Sequence, residues 1–466
     1  MSQGASSSAL TEPTFSGHRP AGAGDLSVET HGIAPIAEDQ RYGSPIRLFT
    51  VWFAPQVNMT GVFTGTLAIV LGLGFWLGLL AMVIGTVLGS LVVGYLSTWG
   101  PRTGTGQLPN SRMAFGGGVV MPAALQWLSS IAWDALVGLF GGDALAVLLG
   151  IPFWVAVLIV LGVQGAVGFF GYEVIHRLQV VLTVVLFTTF VVFAVKLVGG
   201  QEIVTAPAVQ GANLAGAFVL EVTIAFSIAV SWASYAADFS RYLPADSSRA
   251  RVFGFTFAGI ASAYIFVQGI GIAAGDLLSE HTAEGVRSVM GGGLLGGLAL
   301  LVIALASIGS GVMNDYSGSL ALQTIGVRVR RPVSAAIVTV LAFGLILWLH
   351  APGGTATRFQ DVLLLVSYWI PAFVAIVVID WLLRIRGRAS INPAEEPTDR
   401  RDAMAAVIVF VLAYVVAIPF MNTSLIEGPV ARALHGADVA YFVNLLVAAL
   451  LYGTYRLFRA NAGKER

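Results

Sequence analysis

Cysteine is absent from all 466 residues, which excludes a disulfide framework, a thiolate nucleophile and a Cys-ligated metal. Charge is nearly as scarce: Asp, Glu, Lys and Arg make up 11% of the chain, against about 25% in a soluble domain. Lysine occurs only as Lys196 and Lys464. With a net charge of zero and no basic domain, nothing points to nucleic acid as a partner. The histidines (His18, His31, His176, His281, His350 and His435) fall in tails, loops or helix ends, without metal-ligand spacing. An enzyme needs converging acid–base or metal groups. None is legible, so no catalytic residue, metal or cofactor is expected, and a membrane-embedded enzyme is the weaker alternative. No repeated filter-like segment suggests a channel.

What the chain has in excess is apolar surface, with 56% of residues hydrophobic. Uncharged stretches such as 52–97 and 333–349 reach the roughly 18 residues that carry a helix across the hydrocarbon core. Helix is the form expected, because a backbone in lipid must satisfy its own hydrogen bonds. The short alternating segments of a membrane β-barrel are missing. The pattern predicts an all-α polytopic membrane protein with twelve transmembrane helices. They fall near 45–72, 75–98, 114–139, 145–170, 178–199, 212–240, 252–275, 290–322, 333–350, 359–384, 403–421 and 438–459. Residues 1–42, rich in Ser, Gly, Ala and Pro without an apolar segment, are expected to be a disordered cytoplasmic tail rather than a signal peptide.

An even count of spans puts both termini on one side. With this partition 21 of the 25 basic residues lie on the tail side, leaving Lys196, Arg287, Arg358 and Arg432 opposite. Basic loops mark the cytoplasm, so both termini are expected there, in the plasma membrane.

Two spans carry polar interruptions. The first reads Trp52-Phe-Ala-Pro-Gln-Val-Asn-Met-Thr-Gly61, and the sixth Ser231-Trp-Ala-Ser-Tyr-Ala-Ala-Asp-Phe-Ser-Arg-Tyr-Leu-Pro244. Proline removes a backbone donor and breaks the turn before it. Irregular backbone at membrane depth is tolerated only where it lines an enclosed cavity. The interruptions open two five-helix blocks, taken here as residues 43–200 and 201–388, with two further helices in 389–466. Asn58 and Trp232 lie 174 residues apart, and Trp133 and Asn314 lie 181 apart. An odd number of helices per block inverts the second copy, and paired breaks in inverted halves mark a transporter's binding site. The plainer reading of such polar residues is interhelical packing.

Together with Arg112-Met-Ala-Phe-Gly-Gly-Gly118, Asn314-Asp-Tyr-Ser317 and Tyr368-Trp-Ile-Pro371, these strings resemble the nucleobase–cation symporter-1 family, in particular its purine–cytosine permease branch. The resemblance covers roughly 44–385. It implies a leucine-transporter-like fold, five-plus-five inverted helices with two extra, importing a nucleobase or related ring amide with protons or sodium. It also implies a flat ring held between aromatic residues of the third and sixth helices, here Trp133 and Trp232. Stacked apolar faces suit such a ring. An interfacial belt is the plainer role for a membrane Trp; it suits Trp99 and Trp381, but not these two. Hydrogen bonds to the ring edge are expected from Asn314, Asn58 and Ser234, with Gln56 either in the site or capping the break. Where many relatives carry Asn or Gln four residues past the helix-three aromatic, this chain has Val137.

For the coupling ion, the resemblance places sodium ligands at the carbonyls of Ala54 and Val57 and at two hydroxyls on the eighth helix. Those hydroxyl positions fall on Ile308 and Gly309, with Ser310 adjacent. Sodium prefers several oxygens, so a proton is the expected cation. Glu221, Asp134 and Asp315 are the intramembrane carboxyls able to carry it, unless Glu221 and Asp315 merely bond between helices. Asp238, near the cytoplasmic end of the sixth helix, is expected to pair with an arginine or cap local backbone. A sodium-coupled hydantoin, allantoin or vitamin-precursor transporter of the same family is the alternative. An amino-acid carrier on the same fold is another. Oligomeric state is not legible.

Overall fold

A computed structural model describes residues 32–168, 172–278, 282–327, 331–387, 391 and 398–462. Residues 32–42 are packed rather than disordered. Ile36 is 1% exposed, and Arg41 holds this stretch by donating to the carbonyls of Ile36 and Pro101. Residues 1–31 of the expected tail lie outside the described residues, as do Arg328, Arg330, Arg388, Lys464 and Arg466.

The first expected span is two helices, α1 (Arg47–Phe53) and α2 (Met59–Val70). Between them Ala54–Gln56 form a 3-10 turn, and Val57 leaves the helical region at φ −80°, ψ 74°. Asn58 is extended and caps α2, its Oδ1 accepting from the Gly61 amide at 2.9 Å, which satisfies one of the donors a helix start leaves open. Next come α3 (Gly74–Ser97), the short α4 (Gly100–Thr103), α5 (Gln107–Phe115), α6 (Val120–Leu149), α7 (Phe153–Gly168) and α8 (Tyr172–Gly200). The second block opens with α9 (Gly211–Val230), which tightens to a 3-10 turn over Ser231–Tyr235. It continues through α10 (Arg249–Ala274), α11 (Thr282–Val289), α12 (Gly293–Ile325), α13 (Arg331–His350), α14 (Thr355–Leu365) and α15 (Ile370–Gly387). The short α17 (Pro429–Ala433) lies between α16 (Arg400–Ala417) and α18 (Ala440–Ala462).

Among the described residues nine helical stretches are long and apolar enough to cross a membrane. Three shorter apolar ones, Met59–Val70, Phe153–Val167 and Ile337–His350, fall in the first, fourth and ninth expected spans. Two boundaries differ from the sequence pattern. Arg112 belongs to α5, which ends at Gly116 (φ +50°), and the third span then runs on to Gly150 (φ +66°). The tenth span starts earlier and is broken between α14 and α15, a third interruption.

Small residues let the helices approach closely, as expected where lipid gives helices no hydrophobic drive to associate. A Cβ on Gly85 of α3 would sit 2.2 Å from the Val222 carbonyl of α9, and one on Gly271 of α10 would sit 1.8 Å from the Val62 carbonyl of α2. Trp99 and Trp381 are not belt residues. They are 1% and 3% exposed and stack on one another at 4.2 Å, joining α3 to α15. Trp76, Trp154 and Trp348 face outward instead. In the final helices Arg384 and Arg456 both bond the buried Asp380, tying α18 to α15.

Candidate functional site

The break in the first span is knitted to α12. Asn58 Nδ2 donates to the Pro55 carbonyl at 2.5 Å and to Ser310 Oγ at 3.0 Å, and the Ser310 hydroxyl donates to the same carbonyl at 2.5 Å. Val57 and Asn58 leave the helical register, so the Pro55 carbonyl is open and two side chains fill it. Ala54, Gln56 and Val57 are fully buried around this knot. Gln56 Nε2 has no hydrogen-bond partner. On α12, Ile308 and Gly309 carry no hydroxyl, and the Gly309 carbonyl accepts from Gln179 Nε2 of α8 at 2.9 Å.

The break after α9 presents Trp232. Its ring meets Trp52 edge-on at 5.6 Å and Tyr235 at 5.4 Å, and its Nε1 donates to the Tyr264 hydroxyl of α10 at 2.9 Å. The ring is therefore fixed by neighbours from both blocks. Ser234 donates to Gln126 Oε1 of α6, and Gln126 Nε2 and the Tyr235 hydroxyl are buried without hydrogen-bond partners among the described residues.

Along α6, Trp133 is 6% exposed, as is Trp232; among the described residues no ring contact joins the two. The neighbouring Asp134 accepts from Asn314 Nδ2 of α12 at 3.3 Å, which orients that carboxamide. Asp315 accepts from Gln164 Nε2 of α7 at 3.1 Å. Glu221 stands apart, fully buried in α9 with neither oxygen hydrogen-bonded among the described residues. Thus the structure joins Asn58 with Ser310 and Asp134 with Asn314. It places Trp232 and Ser234 on one turn and leaves Glu221 separate. No group of three or more His, Cys, Asp or Glu fit for a metal occurs among the described residues.

Packed side chains flank this region at both ends. Toward the side opposite the arginine-rich loops lies a cavity of about 640 Å³, lined by residues including Phe140, Asp143, Glu284, His350 and Thr355. It does not reach Trp133, which lies two helical turns, roughly 10 Å, along α6 from Phe140. Phe140, Phe63 and Phe359 close the gap with mutual ring separations of 5.0, 4.9 and 5.8 Å. On the arginine-rich side Asp238 Oδ1 accepts from the Gln107 amide at 2.8 Å, capping α5. Nearby, the fully buried Arg241 donates to the Gly32 carbonyl at 2.7 Å and to the Tyr316 hydroxyl at 2.8 Å.

Sequence reasoning missed Gln126, Gln164, Gln179 and Tyr264. Each is a polar group in an apolar run, a visible signal, but the partner lies on another helix. Gln126 precedes Trp133 by seven residues and so shares its helix face.

Residues 35–444 match the family model described as permease for cytosine/purines, uracil, thiamine and allantoin. The YxlA protein of Bacillus subtilis is 26% identical, with 92% of this chain and 95% of that one aligned. The purine-cytosine permease fcyB of Emericella nidulans is 26% identical over 94% of this chain and 90% of its own length. Among solved structures, that of Mhp1, a nucleobase-cation-symport-1 family transporter in a closed conformation with bromovinylhydantoin bound, aligns with a TM-score of 0.74 at 18% identity, covering 94% of this chain and 97% of that one. That likeness establishes the leucine-transporter-like fold.

Proposed function

The chain belongs to the family of permeases for cytosine/purines, uracil, thiamine and allantoin, and from this premise we propose that it imports a flat nucleobase, cytosine or a purine, by proton symport across the plasma membrane. It is a multi-pass membrane protein of a transporter family. The observation that carries the reading is Trp232, set on the unwound turn after α9 and braced by Trp52, Tyr235 and Tyr264. A preset indole face binds a heteroaromatic ring by area and quadrupole. Trp133 supplies the second face. Asn58, Ser234, Gln56 and Asn314 supply hydrogen bonds to the ring edge, which decide between rings that would all stack. Val137 offers no such bond. The partially unpaired Gln56 amide is a donor suited to a ring carbonyl.

The hydrogen bonds at the first break support the proton. Sodium is held by several oxygens. Here the Ser310 hydroxyl and the Asn58 amide both point their hydrogens at Pro55, and the Gly309 carbonyl is bonded to Gln179. The Ala54 carbonyl accepts from the Val57 amide at 3.1 Å, which leaves the Val57 carbonyl, too little for a sodium shell. With both termini in the cytoplasm, the Phe63–Phe140–Phe359 cluster closes the outer path and Asp238 and Arg241 stand at the inner one.

Radiolabelled cytosine uptake in cells lacking their own permease tests the reading, with adenine, hypoxanthine, allantoin and leucine as competitors. Purines compete and leucine does not. Uptake follows an imposed pH gradient in sodium-free vesicles and collapses with a protonophore. Uptake that leucine blocks, or that requires sodium and ignores the pH gradient, overturns it.

A further inference from the structure

Of the intramembrane carboxyls, Asp134, Asp315 and Glu221 are the candidates for the coupling proton, and their surroundings differ. Asp134 has the Asn314 amide and Asp315 the Gln164 amide as N–H donors, and the two carboxyls also hydrogen-bond each other. Glu221 has neither donor nor cation. It lies eleventh in the twenty residues of α9, 0% exposed, with both oxygens lacking hydrogen-bond partners among the described residues. An ionised carboxylate without partner or water is strongly unfavourable inside a membrane. We propose that Glu221 carries the coupling proton, holding it while the site is closed and giving it to water when α9 parts from its neighbours. This rests on the proton-symport reading above and names the group that performs it.

The groups packed around α9 are engaged elsewhere. On α14, Asp361 accepts from the Ser424 amide at 2.8 Å, and Arg358 donates to the Leu349 carbonyl at 3.3 Å. Before α18, Asp438 accepts from the amides of Asn422 and Ala440 at 2.8 and 2.9 Å, and Tyr441 donates to the Leu364 carbonyl at 2.7 Å. On α10 the Tyr264 hydroxyl accepts from Trp232, while Arg249 and Arg251 are exposed at its start. Tyr95 lies at the far end of α3, and Tyr235 beyond the end of α9. The backbone of His435 packs on Gly216, more than a helical turn before Glu221. α2 has no titratable residue.

Glu221 is also placed to report on the site. Residues eleven apart fall within about 20° on a helix, so Glu221 and Trp232 lie on one stripe of α9 and its continuation. A movement of α9 that turns Trp232 also turns Glu221. The close approach of α9 to α3 at Gly85 keeps water out until the two helices separate.

The test uses purified full-length protein in sodium-free vesicles with radiolabelled cytosine, comparing wild type with Glu221→Gln, which keeps shape and removes the proton. An inward pH gradient of one unit drives at most about tenfold accumulation at one proton per substrate. Wild type accumulates toward that limit. Glu221→Gln equilibrates cytosine without accumulating it, yet exchanges internal for external cytosine at a rate within about threefold of wild type, since exchange needs no net proton movement. Accumulation by Glu221→Gln at the wild-type level overturns the proposal. So does loss of exchange together with accumulation in correctly inserted Glu221→Gln, which would make the residue structural. Failure of the wild type to move cytosine, or to respond to the pH gradient, instead sinks the reading beneath it.

Discussion

Trp232 gains its usefulness from what it cannot do: it cannot rotate away. Trp52 and Tyr235 hold its ring, and Tyr264 holds its N–H. Trp232→Ala or Trp133→Ala should weaken cytosine affinity by about 1–3 kcal/mol, the usual worth of a base–aromatic stack, while the protein still reaches the membrane. Normal uptake affinity in either variant would remove that residue from the site. Tyr264→Phe removes only the acceptor for the indole N–H. Leaving a buried donor unpaired costs about 1–3 kcal/mol, so this variant should lose at least about fivefold in affinity by equilibrium binding. An unchanged affinity would mean that packing alone fixes the ring. At Asp238 the expectation differs in kind. Its carboxylate caps α5, and loss of a cap costs about 1 kcal/mol without removing a group proposed to bond the ring. Asp238→Ala should therefore slow transport at saturation and leave binding intact; the opposite pattern would place Asp238 in the pocket.

Helices here are shaped by two kinds of cause, and only one is local. Pro55 and Asn58 break and restart the first span with their own chemistry, which made that site legible from residue order. The break between α14 and α15 is different. Its open Val366 carbonyl accepts from the Ser129 hydroxyl of α6 at 2.9 Å, across 237 residues of sequence, and Trp369 donates to the same carbonyl. No pattern within 359–384 announces a partner so distant. The same limit hid Gln126 behind Ser234, and it made the stacked pair Trp99 and Trp381 look like interfacial anchors. Close helix contact is the other nonlocal element. Gly271→Ala would drive a methyl group to 1.8 Å from the Val62 carbonyl, and because that atom is backbone it cannot swing aside. Overpacking of this kind costs about 1–3 kcal/mol or more, so the thermal unfolding midpoint in detergent should fall; a midpoint equal to wild type would show that α2 and α10 can separate freely.

Across the whole molecule the two ends of the path are closed by different materials. Opposite the arginine-rich loops three phenylalanine rings pack together by dispersion; on the arginine-rich side the contacts include hydrogen bonds to backbone. Phe140→Ala should open the outer closure. Because the chain has no cysteine, a single one introduced at Thr60 is the only thiol present. Thr60 bonds the Leu136 carbonyl beside Trp133, so it reports on the depth of the site. Its labelling by an impermeant reagent should speed up on the order of tenfold with Phe140→Ala, as expected for a shift of about 1.4 kcal/mol toward an open state. An unchanged rate would show that some other contact holds the outer path shut.

The tie between Arg241 and Gly32 runs to a main-chain oxygen, and Tyr42 repeats the arrangement by donating its amide to the Tyr242 carbonyl at 2.7 Å. Main-chain atoms therefore carry part of the fastening beside the Arg41 guanidinium and the buried Ile36, and chain continuity is essential. For anyone preparing this protein, a purification tag joined at residue 1 leaves the fastening whole, but a deletion that trims past Gly32 takes away part of the wall itself.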